Sequence, residues 1–117
     1  MTRTTYQKGL YAEKLCRLAL RLKGYRILAV RHKTPLGEID IIATRGHVVA
    51  AIEVKARNTY DTAINALSVH QQQRIIRALE SFVARHPAFA HADLRFDVML
   101  AIPKRWPKHI PNAWQQN

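Results

Sequence analysis

Acidic residues are scarce in this chain: eight Asp and Glu stand against nineteen Lys and Arg, a formal charge of +11. Cysteine is nearly missing. The single thiol, Cys16, excludes an internal disulfide and fits a reducing compartment, and a small core residue is its expected role. No apolar run approaches the ~18 residues of a membrane span, and none follows the N-terminal charges as a signal peptide requires. A cytoplasmic protein with no membrane segment is therefore expected. The six histidines are dispersed, and none is spaced with Cys16 as a zinc site would need. Internal repeats and low-complexity segments are absent. At 117 residues the chain suits one domain with a single core.

The excess of base is unevenly placed. Residues 1–33 carry nine Lys and Arg against Glu13 alone, residues 34–102 are balanced at seven of each sign, and Lys104, Arg105 and Lys108 follow. A neutral middle holding most of the carboxylates, flanked by basic segments, suits a polyanion lying across an acidic site. A membrane surface is the competing explanation.

The stretch from Gly37 to Lys55 organises the rest. Two runs rich in β-branched residues flank Arg45-Gly46-His47, which reads as a β-hairpin. If Gly46-His47 is a two-residue type II′ turn, cross-strand partners have numbers summing to 93. Asp40 then lies opposite Glu53, and Glu38 opposite Lys55. Alternation puts Ile39, Ile41, Ile52 and Val54 together on the core face, and Ile42 and Ala51 on the face of the charges. Two carboxylates directly opposite each other repel. Lys55 offsets part of that, and a divalent metal between Asp40 and Glu53 offsets more. The plain alternative is a solvated strand face with incidental charges.

Asp40, twelve residues, then Glu53-Val54-Lys55 resembles the PD-(D/E)xK nuclease core, with acid, acid and Lys on adjacent strands. The wider set resembles the bacterial YraN family of nuclease-like proteins, itself similar to archaeal Holliday-junction resolvases. The matching features are Gly9…Ala12-Glu13, Gly24-Tyr25-Arg26-Ile27-Leu28, Gly37-Glu38-Ile39-Asp40, Glu53-Val54-Lys55-Ala56-Arg57 and Arg95-Phe96-Asp97-Val98, across about residues 7 to 102. Thr34-Pro35-Leu36 departs from that pattern. The resemblance implies an α/β restriction-endonuclease-like fold, a mixed sheet with flanking helices in the order α-β-β-β-α-β. It also implies metal-dependent hydrolysis of phosphodiester bonds in nucleic acid, expected to be DNA, with branched forms among the candidate substrates. Asp40, Glu53 and the Val54 carbonyl would hold Mg²⁺ or Mn²⁺, Lys55 would orient water or stabilise charge, and Glu13, with Glu38, would complete the outer shell. The rival is a non-catalytic DNA-binding subunit of a repair, recombination or DNA-uptake complex.

Elsewhere a helix is expected from Tyr6 to Lys23, ended by Gly24, with Tyr11, Leu15, Leu18 and Leu22 in its apolar arc beside Ala12, Cys16, Ala19 and Leu20. Arg17 and Arg21 lie opposite that arc and are candidate nucleic-acid contacts. Glu13 has a plain alternative as an i,i+4 partner of Arg17. Gly9, one turn earlier, could admit a close segment. A first strand runs from Tyr25 to His32. Arg57, in a loop beside the site, and His70, at the start of a second helix, are further candidate phosphate contacts. Ser68-Val69-His70-Gln71 reads as a capping box for that helix, which stops before Pro87. A last strand spans Leu94 to Ile102, with Asp97 paired to Arg95 or a neighbour. Residues 1–102 form the domain, and 103–117 a basic tail in which Pro103, Pro107 and Pro111 exclude regular structure. A homodimer, using Trp106 and Trp114, is expected to present two sites to a two-stranded substrate.

Overall fold

The computed structural model describes residues 5–56 and 67–114, with side chains from residue 9 onward. In chain order the elements are α1 (Thr5–Leu22), β1 (Arg26–Lys33), β2 (Glu38–Arg45), β3 (Val48–Ala56), α2 (Val69–Ala84), a 3₁₀ turn (Pro87–Phe89), β4 (Asp93–Ala101) and β5 (Lys108–Trp114). Local chemistry sets the boundaries. Helix α1 ends because Gly24 adopts a left-handed φ of 91°. That lets its N–H reach the Arg21 carbonyl and the Tyr25 N–H reach that of Leu20, both at 3.0 Å, as in a Schellman end. Helix α2 starts in the expected capping box: Ser68 Oγ accepts from the Gln71 N–H and Gln71 Oε1 accepts from the Ser68 N–H, each at 3.1 Å.

The strands form one sheet in the order β1-β2-β3-β4-β5, antiparallel throughout except between β3 and β4. Parallel neighbours need a crossover, and α2 lies in it. The two helices cover opposite faces. On one, Cys16, Ala19 and Leu20 of α1 pack with Tyr25, Ile41, Ala43, Ala50, Ile52 and Met99. On the other, Ile75, Ala78, Leu79 and Phe82 of α2 pack with Ile39, Ile42, Val49, Ala51, Phe96 and Leu100. The result is a mixed α/β fold, with one strand more than expected.

Three expectations need correcting. First, Ile39 joins the cluster under α2 while Ile41, Ile52 and Val54 join the one under α1. Ile42 and Ala51, expected beside the charges, are fully buried under α2. Both faces of the central strands are covered, so Ile42 and Ala51 are core as well, and alternation breaks between Ile39 and Ile41, where Arg31 is left-handed and the β2–β3 ladder ends. Second, Tyr11, Leu18 and Leu22 are exposed, at 51%, 46% and 71%, and only the narrower stripe of Ala12, Cys16, Ala19 and Leu20 is core. Small side chains there let the helix sit close to the sheet. Third, the C-terminal prolines do not prevent structure. β5 pairs with β4 as an edge strand, and the register slips opposite Asp97, where Pro111 and a left-handed Asn112 (φ 54°) sit. Edges and bulges are where a sheet tolerates proline. Trp114, expected at an interface, is instead buried and stacked on Phe96 with ring centroids 5.7 Å apart.

Asp97 holds that edge. Its carboxylate is fully buried and accepts from Arg95 Nε and Nη2 at 2.9 and 2.8 Å, from His109 Nε2 at 2.8 Å and from the Asn112 N–H at 2.9 Å. Lys23 contacts the other ring nitrogen of His109. Lysine can only donate, so Nδ1 accepts and Nε2 carries the proton given to Asp97. Burial by itself would raise the Asp97 pKa, yet the bonds from His109, Arg95 and Asn112 hold it below the ordinary value. Removing one side of a buried ion pair costs about 3–5 kcal/mol. We therefore expect Asp97→Ala to lose that much in urea denaturation, with amide exchange in β5 losing protection first. An equal loss for the exposed Asp93→Ala would show that burial is not the cause.

Candidate functional site

The β2–β3 hairpin has the expected two-residue turn, with Gly46 at φ 60° and Arg45 paired with Val48. The ladder then runs to Ile41 opposite Ile52 and stops. At the next position Asp40 Oδ2 accepts from the Val54 backbone N–H at 2.9 Å, so a side chain replaces a ladder bond. Asp40 and Glu53 are hydrogen-bonded to each other, and Lys55 Nζ lies 3.3 Å from Glu53 Oε1. Both Lys55 and Glu53 side chains are largely shielded, at 12% and 16% exposure.

Burial decides the protonation states. It pushes Glu53 up to about 7, helped by the Asp40 charge and opposed by Lys55. Burial also raises Asp40, against the Val54 N–H, the bond to Glu53 and the Lys55 charge. Two adjacent carboxyl groups with one ammonium beside them hold a shared proton near neutrality.

Next to this pair is a cavity of about 240 Å³ lined by Gly9, Glu13, Arg31, Asp40, Val54 and Ala56, among others. Glu13 is 7% exposed and its pKa is raised, by burial first, with Arg31 pulling it down. Its ion-pair partner is Arg31, Nε to Oε1 at 3.8 Å, rather than Arg17 in the same helix. Gly9 admits no neighbouring segment, since a Cβ there would meet nothing within 4 Å; its lack of a side chain keeps the cavity open. Cys16 lies behind, its thiol pushed up to about 12 by burial and by the charges of Asp40 and Glu13, which suits packing and not attack.

The structure thus brings Asp40, Glu53, Val54 and Lys55 together and sets Glu13 across a cavity from Asp40. Glu38 is exposed and acts on both only through its charge. Arg17 is half-buried, while Arg21 and His70 are exposed. Arg57 lies outside the described residues. Among the described residues no three His, Cys, Asp or Glu side chains converge as a ready metal cage. Arg31 is the residue that sequence reasoning missed. It reaches Glu13 from a left-handed position in β1 (φ 50°), and nothing in the sequence flags that conformation at an arginine.

The raised Glu53 gives a pH test. The fold keeps its proton to about pH 7, whereas the unfolded chain releases it near 4.5. The folded state binds more protons in that window, so this stabilisation is complete below 4.5 and is lost as pH rises through 7. With divalent cations chelated, the wild type should lose stability relative to Glu53→Gln steadily from pH 5 to about 7, because Gln keeps the neutral form that Glu53 gives up. A difference that does not vary with pH would place Glu53 in water.

Comparison with known proteins agrees with the family seen in the motifs. The sequence pattern described as "Uncharacterised protein family UPF0102" matches residues 12–101. A UPF0102 protein of Parvibaculum lavamentivorans is 53% identical over 110 residues, covering 94% of this chain and 83% of its own. One from a Chelativorans species is 51% identical over 109 residues, covering 93% and 88%. A third, from Methylorubrum extorquens, is 48% identical over 113 residues, covering 97% and 88%. With the match spanning Glu13, the hairpin and Asp97 alike, the chain belongs to the UPF0102 (YraN) family.

Proposed function

We propose that this protein binds nucleic acid, with DNA as the substrate, and hydrolyses its phosphodiester bonds at Asp40, Glu53 and Lys55 using Mg²⁺ or Mn²⁺. The observation that carries the reading is the convergence of those three groups where the β2–β3 ladder opens, in a shielded place where burial raises the pKa of both carboxyl groups. The donors suit a small hard cation: two carboxylates, with the Val54 carbonyl beside them. When bound, the ion would act as a Lewis acid on a non-bridging phosphate oxygen and lower the pKa of its water.

The chain's own groups do the rest. Asp40 is already oriented by the Val54 N–H. Glu53, once its shared proton passes to solvent, would offer the cation a second anionic oxygen. Lys55, beside Glu53, would orient the attacking water or stabilise charge on the phosphate. Glu13, at the cavity wall, holds water in the outer shell, and Arg31 adds a cation facing the phosphate. A two-stranded or branched substrate needs two cuts, which a second copy of the chain would supply.

A panel of branched, duplex and single-stranded DNA with Mg²⁺ or Mn²⁺ tests this. Cleavage should appear in the wild type and fall by about 10²–10³-fold in Lys55→Ala, the loss typical of one charge-stabilising donor. Asp40→Ala should be inactive. Both variants should keep most of the DNA affinity, which should drop steeply with salt as phosphate contacts release counterions. Tight binding with no cleavage under any metal would support the non-catalytic subunit instead.

A further inference from the structure

At the opposite end of the sheet from Asp40 lies a second cleft of about 420 Å³, lined by Arg26, Arg45, Gly46, His47, Phe89 and His91, among others. It sits between the start of β1, the β2–β3 turn and the 3₁₀ turn. Among the described residues no Asp or Glu lines it. The nearby Asp93 meets His47 through its backbone N–H, at 2.7 Å from the carbonyl.

Arg45 is fixed there. Its guanidinium lies 4.5 Å over the Tyr25 ring, and Nη1 donates to the Lys23 carbonyl at 3.0 Å. Tyr25 is in turn held by Arg95, which donates to its hydroxyl and clamps the buried Asp97 with two bonds. A guanidinium carries five N–H donors, so most remain for a ligand. An arginine already ordered by its surroundings loses little entropy on binding an anion. Arg26, His47 and His91 are exposed around it. A Cβ at Gly46 would meet nothing within 4 Å, which leaves the turn open to close approach.

The placement fits a polyanion already engaged at the carboxylates. Arg45 is five residues from Asp40 along β2, roughly 17 Å at ~3.4 Å per residue, or about five steps of a nucleic-acid strand at ~3.4 Å each. Helix α1 runs between the two places: Gly9 and Glu13 line the first cavity and Gly24 the second cleft, with exposed Lys14 and Arg21 on the way.

We infer that this cleft binds a phosphodiester group of the same nucleic acid, anchoring it at Arg45 while the strand crosses α1 toward Asp40 and Glu53. The inference rests on the nucleic-acid reading above and adds a site to it.

The test is binding of a 20-base-pair DNA duplex by fluorescence anisotropy across a salt series, for the wild type, Arg26→Glu, His91→Glu and a control, Arg77→Glu on exposed α2. Arg26 and His91 are surface residues, and thermal melts will confirm that both variants fold. Each should weaken duplex binding about tenfold, and Arg26→Glu should also reduce the slope of log K against log salt by about one, the loss of one phosphate contact. The control should do neither. In NMR titration, inorganic phosphate should shift His47 and His91, and the duplex should displace it. If both cleft variants bind like the wild type while cleavage still depends on Lys55, the cleft is overturned and the proposed function stands. If phosphate binds and duplex does not compete, the cleft takes free phosphate and the inference fails. A wild type that binds no duplex at low salt would sink the proposed function and the cleft together.

Discussion

The structure turns on where one antiparallel ladder stops. From Arg45 and Val48 to Ile41 and Ile52 the pairing is regular; beyond it the next residues would be Asp40 and Glu53. Two carboxyl groups facing each other repel, and the backbone alone cannot keep them at ladder spacing. The chain solves this by letting Asp40 take the Val54 N–H and by sharing a proton between the acids. Everything near the site follows from that opening. Val54 falls on the side of α1, the cavity forms between β2, β3 and α1, and Glu13 and Arg31 close its far wall. A one-residue slip at Gly46-His47 would turn the side chains of one hairpin strand to the wrong layer.

Some of this was legible in the sequence, for local reasons. The Gly46-His47 turn fixes the register, the register places Asp40 beside Glu53, and the Ser68–Gln71 capping box and Gly24 set two helix ends. What could not be read depended on distant contacts. Ile39 and Ile41 go to different layers because the strand loses its alternation between them, where Arg31 is left-handed and the β2–β3 ladder ends. Arg31 reaches Glu13 through an unusual φ that no residue type announces. The last strand was hidden because proline is normally evidence against one. Only the bulge opposite Asp97, invisible without β4, makes Pro111 acceptable.

The basic charge acquires a geometry as well. Arg95, half-buried, is bound up in the Asp97 cluster, and its pKa is raised above the ordinary arginine value by the bond to Asp97. It is therefore a structural cation, unlike Lys14, Arg21 and Arg26. A count of +11 overstates what a ligand would meet, since some of that charge answers buried carboxylates.

Two buried acidic clusters in one small sheet invite comparison, and they are built to opposite rules. Asp97 has four hydrogen bonds from three residues, bidentate arginine among them, and its pKa falls despite complete burial. Asp40 and Glu53 have one backbone N–H, one lysine and each other, and their pKa values rise. A fold that compensates Asp97 so fully could have done the same on the neighbouring strand, where Glu53 sits one residue past Asp97's partner Ile52; donors are not in short supply in so basic a chain. Leaving the Asp40–Glu53 pair under-compensated costs stability, because burial of charge without partners is unfavourable. Under the function proposed above, that cost is relieved by the cation the two carboxylates would hold. Asp97 is thus the internal control: the same residue type in the same sheet, satisfied where it serves the fold, and left wanting where the ladder opens.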